Sequence, residues 1–169
     1  DKAAGRAVAE RIGGLFVGTD VSDRGQVERA VEAAASEYGS LDILVNNAWG
    51  GGAIGRVEHK TDRQLADGIA VGYYGPFWAM RAAYPDIKAA GWGRVVNLCS
   101  LNGVNAHVGS LEYNAAKEAL RALTRTAARE WAPTGVTVNA LCPAAKSQAF
   151  LRAVGGHPEL AALADAANP

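Results

Sequence analysis

The residues RVVNLCS (94–100), LNGVNAHVGSLE (101–112) and YNAAKE (113–118) read as a strand, a loop and the first turns of a helix. The strand Arg94–Cys99 is rich in Val and Leu and closes on a polar residue, Ser100. Tyr113 and Lys117 then stand at i and i+4 in an Ala-rich helical run, so both project from one face, one turn apart. When that helix packs back on the sheet, Ser100 comes opposite Tyr113. A hydroxyl, a phenol and an ammonium then converge on one point, a trio suited to moving a proton to or from an alcohol or carbonyl oxygen. A free phenol titrates near pH ~10 and is a poor base at neutrality. A lysine cation one turn away favours the phenolate, and Ser100 would hold the substrate oxygen.

The rest of the chain repeats the same unit. Residues 2–13 have helical apolar spacing and stop at Gly13–Gly14; Leu15–Val17 reads as a short strand, with Thr19–Asp23 as its exit loop. Ser22 or Asp23 caps a helix over Gln26–Tyr38, ended by Gly39. Leu41–Val45 is a near-continuous apolar run, as in a parallel strand buried on both faces, and leads into Asn46–Asn47–Ala48–Trp49. Residues 50–60 read as loop, with Gly50–Gly52 a flexible segment rather than a phosphate cradle. Asp62–Ala90 is helical but interrupted at Gly72, Gly75 and Pro76, giving two helices or one kinked pair. Tyr113–Trp131 is a helix, Val136–Leu141 a buried strand, Cys142–Pro143 a loop, and 146–167 helical segments. Alternating helices and apolar strands define an α/β fold with a parallel sheet in a single domain over 1–169. Ligands of such sheets sit at the strands' carboxyl ends, where Asp20, Asn47, Ser100 and Pro143 fall.

Composition narrows the function. Of 169 residues 49% are hydrophobic, and 17 Lys plus Arg balance 17 Asp plus Glu, so no net field draws nucleic acid or an anionic membrane. No apolar run approaches the ~20 residues of a membrane span. Cys99 and Cys142 read as reduced core residues of a cytoplasmic protein, and no metal-ligand spacing joins them to the three histidines.

With DVSD (20–23), DILVNNA (42–48), Ser100, YNAAK (113–117) and VTVNALCP (136–143) in this order, the chain resembles the short-chain dehydrogenase/reductase family. The resemblance implies a Rossmann-like doubly wound sheet with helices on both faces, and an NAD- or NADP-dependent oxidation of a secondary alcohol or reduction of a ketone. It makes Tyr113 the acid/base, Lys117 its tuner and a ribose ligand, and Ser100 the holder of the substrate oxygen. Asp20 and Val21 would meet the adenine end. Asn47, with Ala48, would steady the central strand and lie beside the cofactor. Pro143 and Ser147 would approach the carboxamide. It also implies a homodimer or homotetramer paired through helices at about 62–90 and 113–131.

The departures are as informative. By the resemblance, the first two strands with the glycine-rich turn, the residue selecting NAD or NADP, and the last strand lie outside the sequence. The chain thus reads as a piece of a longer protein in which Leu15–Val17 lacks a partner. The family's Asn-Asn-Ala-Gly is Asn-Asn-Ala-Trp-Gly here, with Trp49 either stacking on substrate or plugging the crevice. A helix Asn that completes a proton relay is replaced by Gly72, and Pro143 is followed by Ala144 instead of Gly. Water or a neighbouring side chain such as Asn102, Asn105 or Asn114 would fill in for the lost amide, and Gly72→Asn would then raise turnover. His107 reads as a solvated loop residue, Glu112 and Asn114 as capping or surface residues, and Tyr73, Tyr74, Phe77 and Trp78 as helix packing. The alternative to an enzyme is a non-catalytic dinucleotide-binding or scaffold protein of the same fold, or an inactive fragment.

Overall fold

The computed structural model describes residues 1–50 and 52–143. Three parallel strands, β1 (Ile43–Asn46), β2 (Gly93–Leu98) and β3 (Val136–Leu141), pair in the order β1-β2-β3. Asn46 lies opposite Asn97, and Leu98 opposite Leu141, so the three carboxyl ends fall along one edge. Among the described residues six α-helices accompany them: α1 (Lys2–Ile12) and α2 (Arg24–Tyr38) before β1, then α3 (Asp62–Ile69), α4 (Gly75–Ala89), a single turn α5 (Leu101–Val104) and α6 (Leu111–Trp131). The helical stretch expected over 146–167 lies outside the described residues.

Local chemistry sets the ends. The Asp23 carboxylate accepts the Gln26 N–H at the start of α2, and Gly39 stops it with φ 77°, a left-handed value that favours glycine. Thr61 and Gln64 form a reciprocal capping box on α3.

Between α3 and α4 the chain does not break at its glycines and proline. Ala70–Tyr74 forms a π-helical turn that joins them. The glycines serve close packing instead: a Cβ on Gly72 would stand 2.7 Å from Ala116 Cβ, and one on Gly75 would stand 2.7 Å from the Val21 carbonyl oxygen. Pro85 is accommodated within α4.

Helices α4 and α6 pack on the sheet face that carries Val95, Val136 and Val138, with Met80, Ala83, Ile87 and Ala127 completing the core. Helix α2 lies beside α4 and adds Val31. A polar tie runs through this layer: Asn46 donates to the Asn97 side chain at 2.8 Å, Asn97 donates to Thr124 at 2.9 Å, and Thr124 donates to the Leu120 carbonyl at 2.7 Å. Asn97 is fully buried, so these bonds replace water it has lost.

The opposite face departs from the expectation of burial on both sides. Ile43 and Val45 are more than half exposed, since among the described residues every helix packed on the sheet lies on the other face. Leu15–Val17 is not a strand either. A strand needs a ladder partner, and no strand among the described residues runs beside it; instead the Leu15 N–H donates to the Tyr38 hydroxyl at 2.7 Å. Asp20 therefore follows an irregular segment.

Candidate active site

Helix α6 delivers Tyr113 and Lys117 to the carboxyl end of β2. Lys117 is 4% exposed, and its ammonium donates to the Leu98 carbonyl at 2.6 Å. That carbonyl precedes Ser100 by two residues, so helix and strand end are bonded together at the site. The ammonium also lies 5.7 Å from the Tyr113 ring centroid. Burial pushes Lys117 below the ordinary lysine range, against a weaker upward pull from the Cys99 and Cys142 thiols. Ser100 Oγ accepts the Asn102 N–H at 3.1 Å, capping α5. Its O–H hydrogen has no acceptor among the described residues and is left to donate.

Trp49 lies against both Tyr113 and Lys117. Its ring meets Tyr113 edge to face, with centroids 4.8 Å apart and planes at 79°, and the Lys117 ammonium sits 5.4 Å from its centroid. Gly72 makes room for it, and position 52 stands at ordinary contact distance. A Cβ on Gly72 would reach 2.8 Å from Trp49 Cζ3, and one on Gly52 would reach 3.6 Å from Cζ2. This corrects the expectation for Gly72→Asn. A side chain at 72 would collide with the indole and with Ala116, so the amide has no vacant place to fill. Asn114 donates its amide N–H to the His107 carbonyl at 2.8 Å, and its buried Oδ1 has no partner among the described residues.

The other expected residues divide. Val21, Asn47 and Ala48 line one apolar groove of about 350 Å³ beside the free edge of β1. Asp20 lies outside it, exposed, accepting from the Ser22 N–H and hydroxyl, which together hold its carboxyl below the usual range. The tie to the central strand is made by Asn46, not Asn47, since residue 46 is the one whose side chain points at Asn97. Pro143 stands exposed two residues past β3. Ser147 lies outside the described residues.

Sequence reasoning missed the group next to Tyr113. Glu112 is 2% exposed, not a surface cap. Its carboxylate takes Lys60 at 2.7 Å, with both side chains buried, and accepts the Ala53 N–H at 2.9 Å; Lys60 also donates to the Ala53 carbonyl. Burial raises the Glu112 carboxyl, but the Lys60 and backbone hydrogen bonds and the Lys60 charge outweigh it and hold the group below the usual range. The clamp fastens residues 53–60 to the start of α6. Gly68 packs closely on it, since a Cβ there would stand 2.8 Å from Glu112 Cβ. His107 is an exposed loop residue, as expected, bonded to Ser110 at 3.0 Å. Cys99 and Cys142 are free thiols, Cys99 being pushed up to about 11 by burial and by Cys142.

Comparison with known proteins places the chain. The family model described as short chain dehydrogenase matches residues 2–155, and the chain belongs to the short-chain dehydrogenase family. It is 38% identical over 143 residues to an uncharacterized oxidoreductase of Bacillus subtilis (strain 168), covering 85% of this chain and 55% of that one. It is 36% identical over 144 residues to a D-beta-hydroxybutyrate dehydrogenase of Rhizobium meliloti (strain 1021), covering 82% and 55%. The crystal structure of a 3-ketoacyl-(acyl-carrier-protein) reductase from Brucella melitensis complexed with NADH superposes with a TM-score of 0.81 at 33% identity, over 85% of this chain and 62% of that one. The chain thus spans about half the length of the curated relatives it matches.

Proposed function

We propose that this chain carries the active site of an oxidoreductase that interconverts a secondary alcohol and a ketone by hydride transfer, with Tyr113 as acid/base. The observation that carries the reading is the junction of α6 and β2, where Tyr113, Lys117 and the end of the Ser100 strand are held together through the Leu98 carbonyl. The relatives named as dehydrogenases and reductases of hydroxyl and keto compounds support it.

The cofactor is NAD or NADP. The residues fit such a group in part: Val21, Asn47 and Ala48 sit on one apolar groove, and Ser100, Tyr113 and Lys117 supply hydroxyl and ammonium donors beyond it. Asp20, Val21, Asn47, Ala48, Tyr113, Lys117, Pro143 and Ser147 are the residues that would hold it. When bound, the nicotinamide supplies or accepts the hydride. For reduction, the Tyr113 O–H gives its proton to the carbonyl oxygen, and for oxidation it takes the alcohol proton. Ser100 donates to the same oxygen and fixes its direction. Lys117 keeps a positive charge beside the phenol as the proton leaves.

The non-catalytic reading has one observation on its side, the indole covering Lys117. Both readings are tested on the full-length protein by titrating NADH and NADPH separately, followed by a screen of ketones for loss of reduced-nicotinamide absorbance. Saturable binding of one cofactor with ketone-dependent turnover supports the enzyme; binding without turnover supports the scaffold.

Two further parts of the proposal concern the whole protein. The exposed aromatic Tyr74, 45% exposed at the end of the π turn before α4, is compatible with pairing of copies as a dimer or tetramer through α3–α4 and α6. Two free cysteines support residence in the cytoplasm.

A further inference from the structure

The geometry points to Trp49 as a positioning residue of the acid–base pair: its indole, seated against Gly52 and Gly72, holds the Lys117 ammonium through its π face and the Tyr113 ring through an edge contact. This rests on the reading of Tyr113 and Lys117 as the reacting pair.

An ammonium carries three N–H donors. Among the described residues Lys117 has one hydrogen-bond acceptor, the Leu98 carbonyl, and no carboxylate. Beyond the Cys99 and Cys142 thiols, it faces the ring of Trp49 at 5.4 Å and the ring of Tyr113 at 5.7 Å. A cation 4% exposed with one acceptor has hydrogens left to place, and the half-buried indole face attracts them. The indole cannot drift. On one side Gly72 leaves a notch that any Cβ would fill, at 2.8 Å from Cζ3. On the other, Gly52 lies against Cζ2, and the next residue, Ala53, is bonded to the buried Glu112–Lys60 pair. Trp49 and Gly72 are therefore one device. The glycine admits the indole, and the indole sets the lysine and the tyrosine from the side on which an α3–α4 side chain is missing.

The test uses the full-length enzyme with its cofactor, in three forms: Trp49→Leu, Trp49→Phe, and a fluorinated tryptophan placed at position 49 by suppression. Leucine removes the π face, phenylalanine keeps a smaller one, and fluorination keeps the shape while weakening the face. Turnover is expected to fall in Trp49→Leu by roughly 2- to 30-fold, less in Trp49→Phe, with the fluorinated protein also below wild type and the KM for the ketone moving less than about twofold. Site-resolved labelling of Lys117 with an amine-reactive reagent reads the same hold without turnover. Lys117 should label slowly in wild type and several-fold faster in Trp49→Leu. Equal turnover in the fluorinated and native proteins, together with unchanged Lys117 labelling in Trp49→Leu, would overturn the proposal. If wild type binds no cofactor and reduces no ketone, the functional reading falls by itself, while the labelling still decides whether Trp49 holds Lys117.

Discussion

Two buried lysines flank the same helix start, and they are kept in opposite ways. Lys60 is bonded to a carboxylate, Glu112, at 2.7 Å and to the loop backbone. Lys117, equally buried, has a backbone carbonyl at 2.6 Å and two aromatic rings. The first arrangement neutralises its charge and fixes a loop. The second leaves the charge unneutralised beside a phenol, which costs stability but keeps a positive field where a proton must move. On the proposed reading, this buried cation without a carboxylate is kept for the proton transfer at Tyr113.

Removing either lysine should therefore do different damage. Lys117→Met or Tyr113→Phe should lower turnover by about 10²–10⁴-fold, the range for a positioned acid/base. In Lys117→Met stability should change by no more than the lost Leu98 bond, about 1–3 kcal/mol, because no counter-charge is stranded. Lys60→Met leaves Glu112 buried and alone, so urea denaturation should show a loss of about 3–5 kcal/mol. Replacing both, as Lys60→Met with Glu112→Leu, should recover most of that loss. If Lys60→Met were neutral and Lys117→Met unfolded the protein, the contrast between the two would be gone.

The two pH dependences have the same sign but fall in different windows. The folded-state pKa of Lys117 is lowered, so between that value and the unfolded value near ~10.4 the unfolded chain binds more protons. Stability of wild type relative to Lys117→Met should accordingly rise with pH across that window. Glu112 is depressed too, so its contribution is present above the unfolded value near ~4.3 and is lost as pH falls through the folded value. The gap between wild type and the Lys60→Met/Glu112→Leu protein, followed by acid denaturation, should change only in that low range. The smallest effect is expected at Asn47. Asn47→Ala, exposed at the groove, should leave stability within about 0.5 kcal/mol, whereas Asn97→Ala, at the centre of the polar tie, should cost about 1–3 kcal/mol.

Most of the sheet and the trio at its edge could be read from sequence because their signals are local. The Val-rich runs of β2 and β3 announce themselves within six residues, and Tyr113 and Lys117 share a face by helical geometry alone. What escaped depended on partners far along the chain. Lys60 meets Glu112 across 52 positions and Asn46 meets Asn97 across 51, and no periodicity links such residues. Gly72 was read as a loss, yet it is the space in which Trp49 sits, a fact that appears only when α6 closes on the π turn. Leu15–Val17 had a strand's composition without a strand beside it, and composition alone does not make a ladder.

The most direct measurement is turnover and cofactor affinity of Tyr113→Phe in the full-length protein. The account predicts that one of NADH or NADPH still binds within a few-fold of wild type while ketone reduction drops by about 10²-fold or more. Tyr113→Phe that reduces the ketone at the wild-type rate would contradict it.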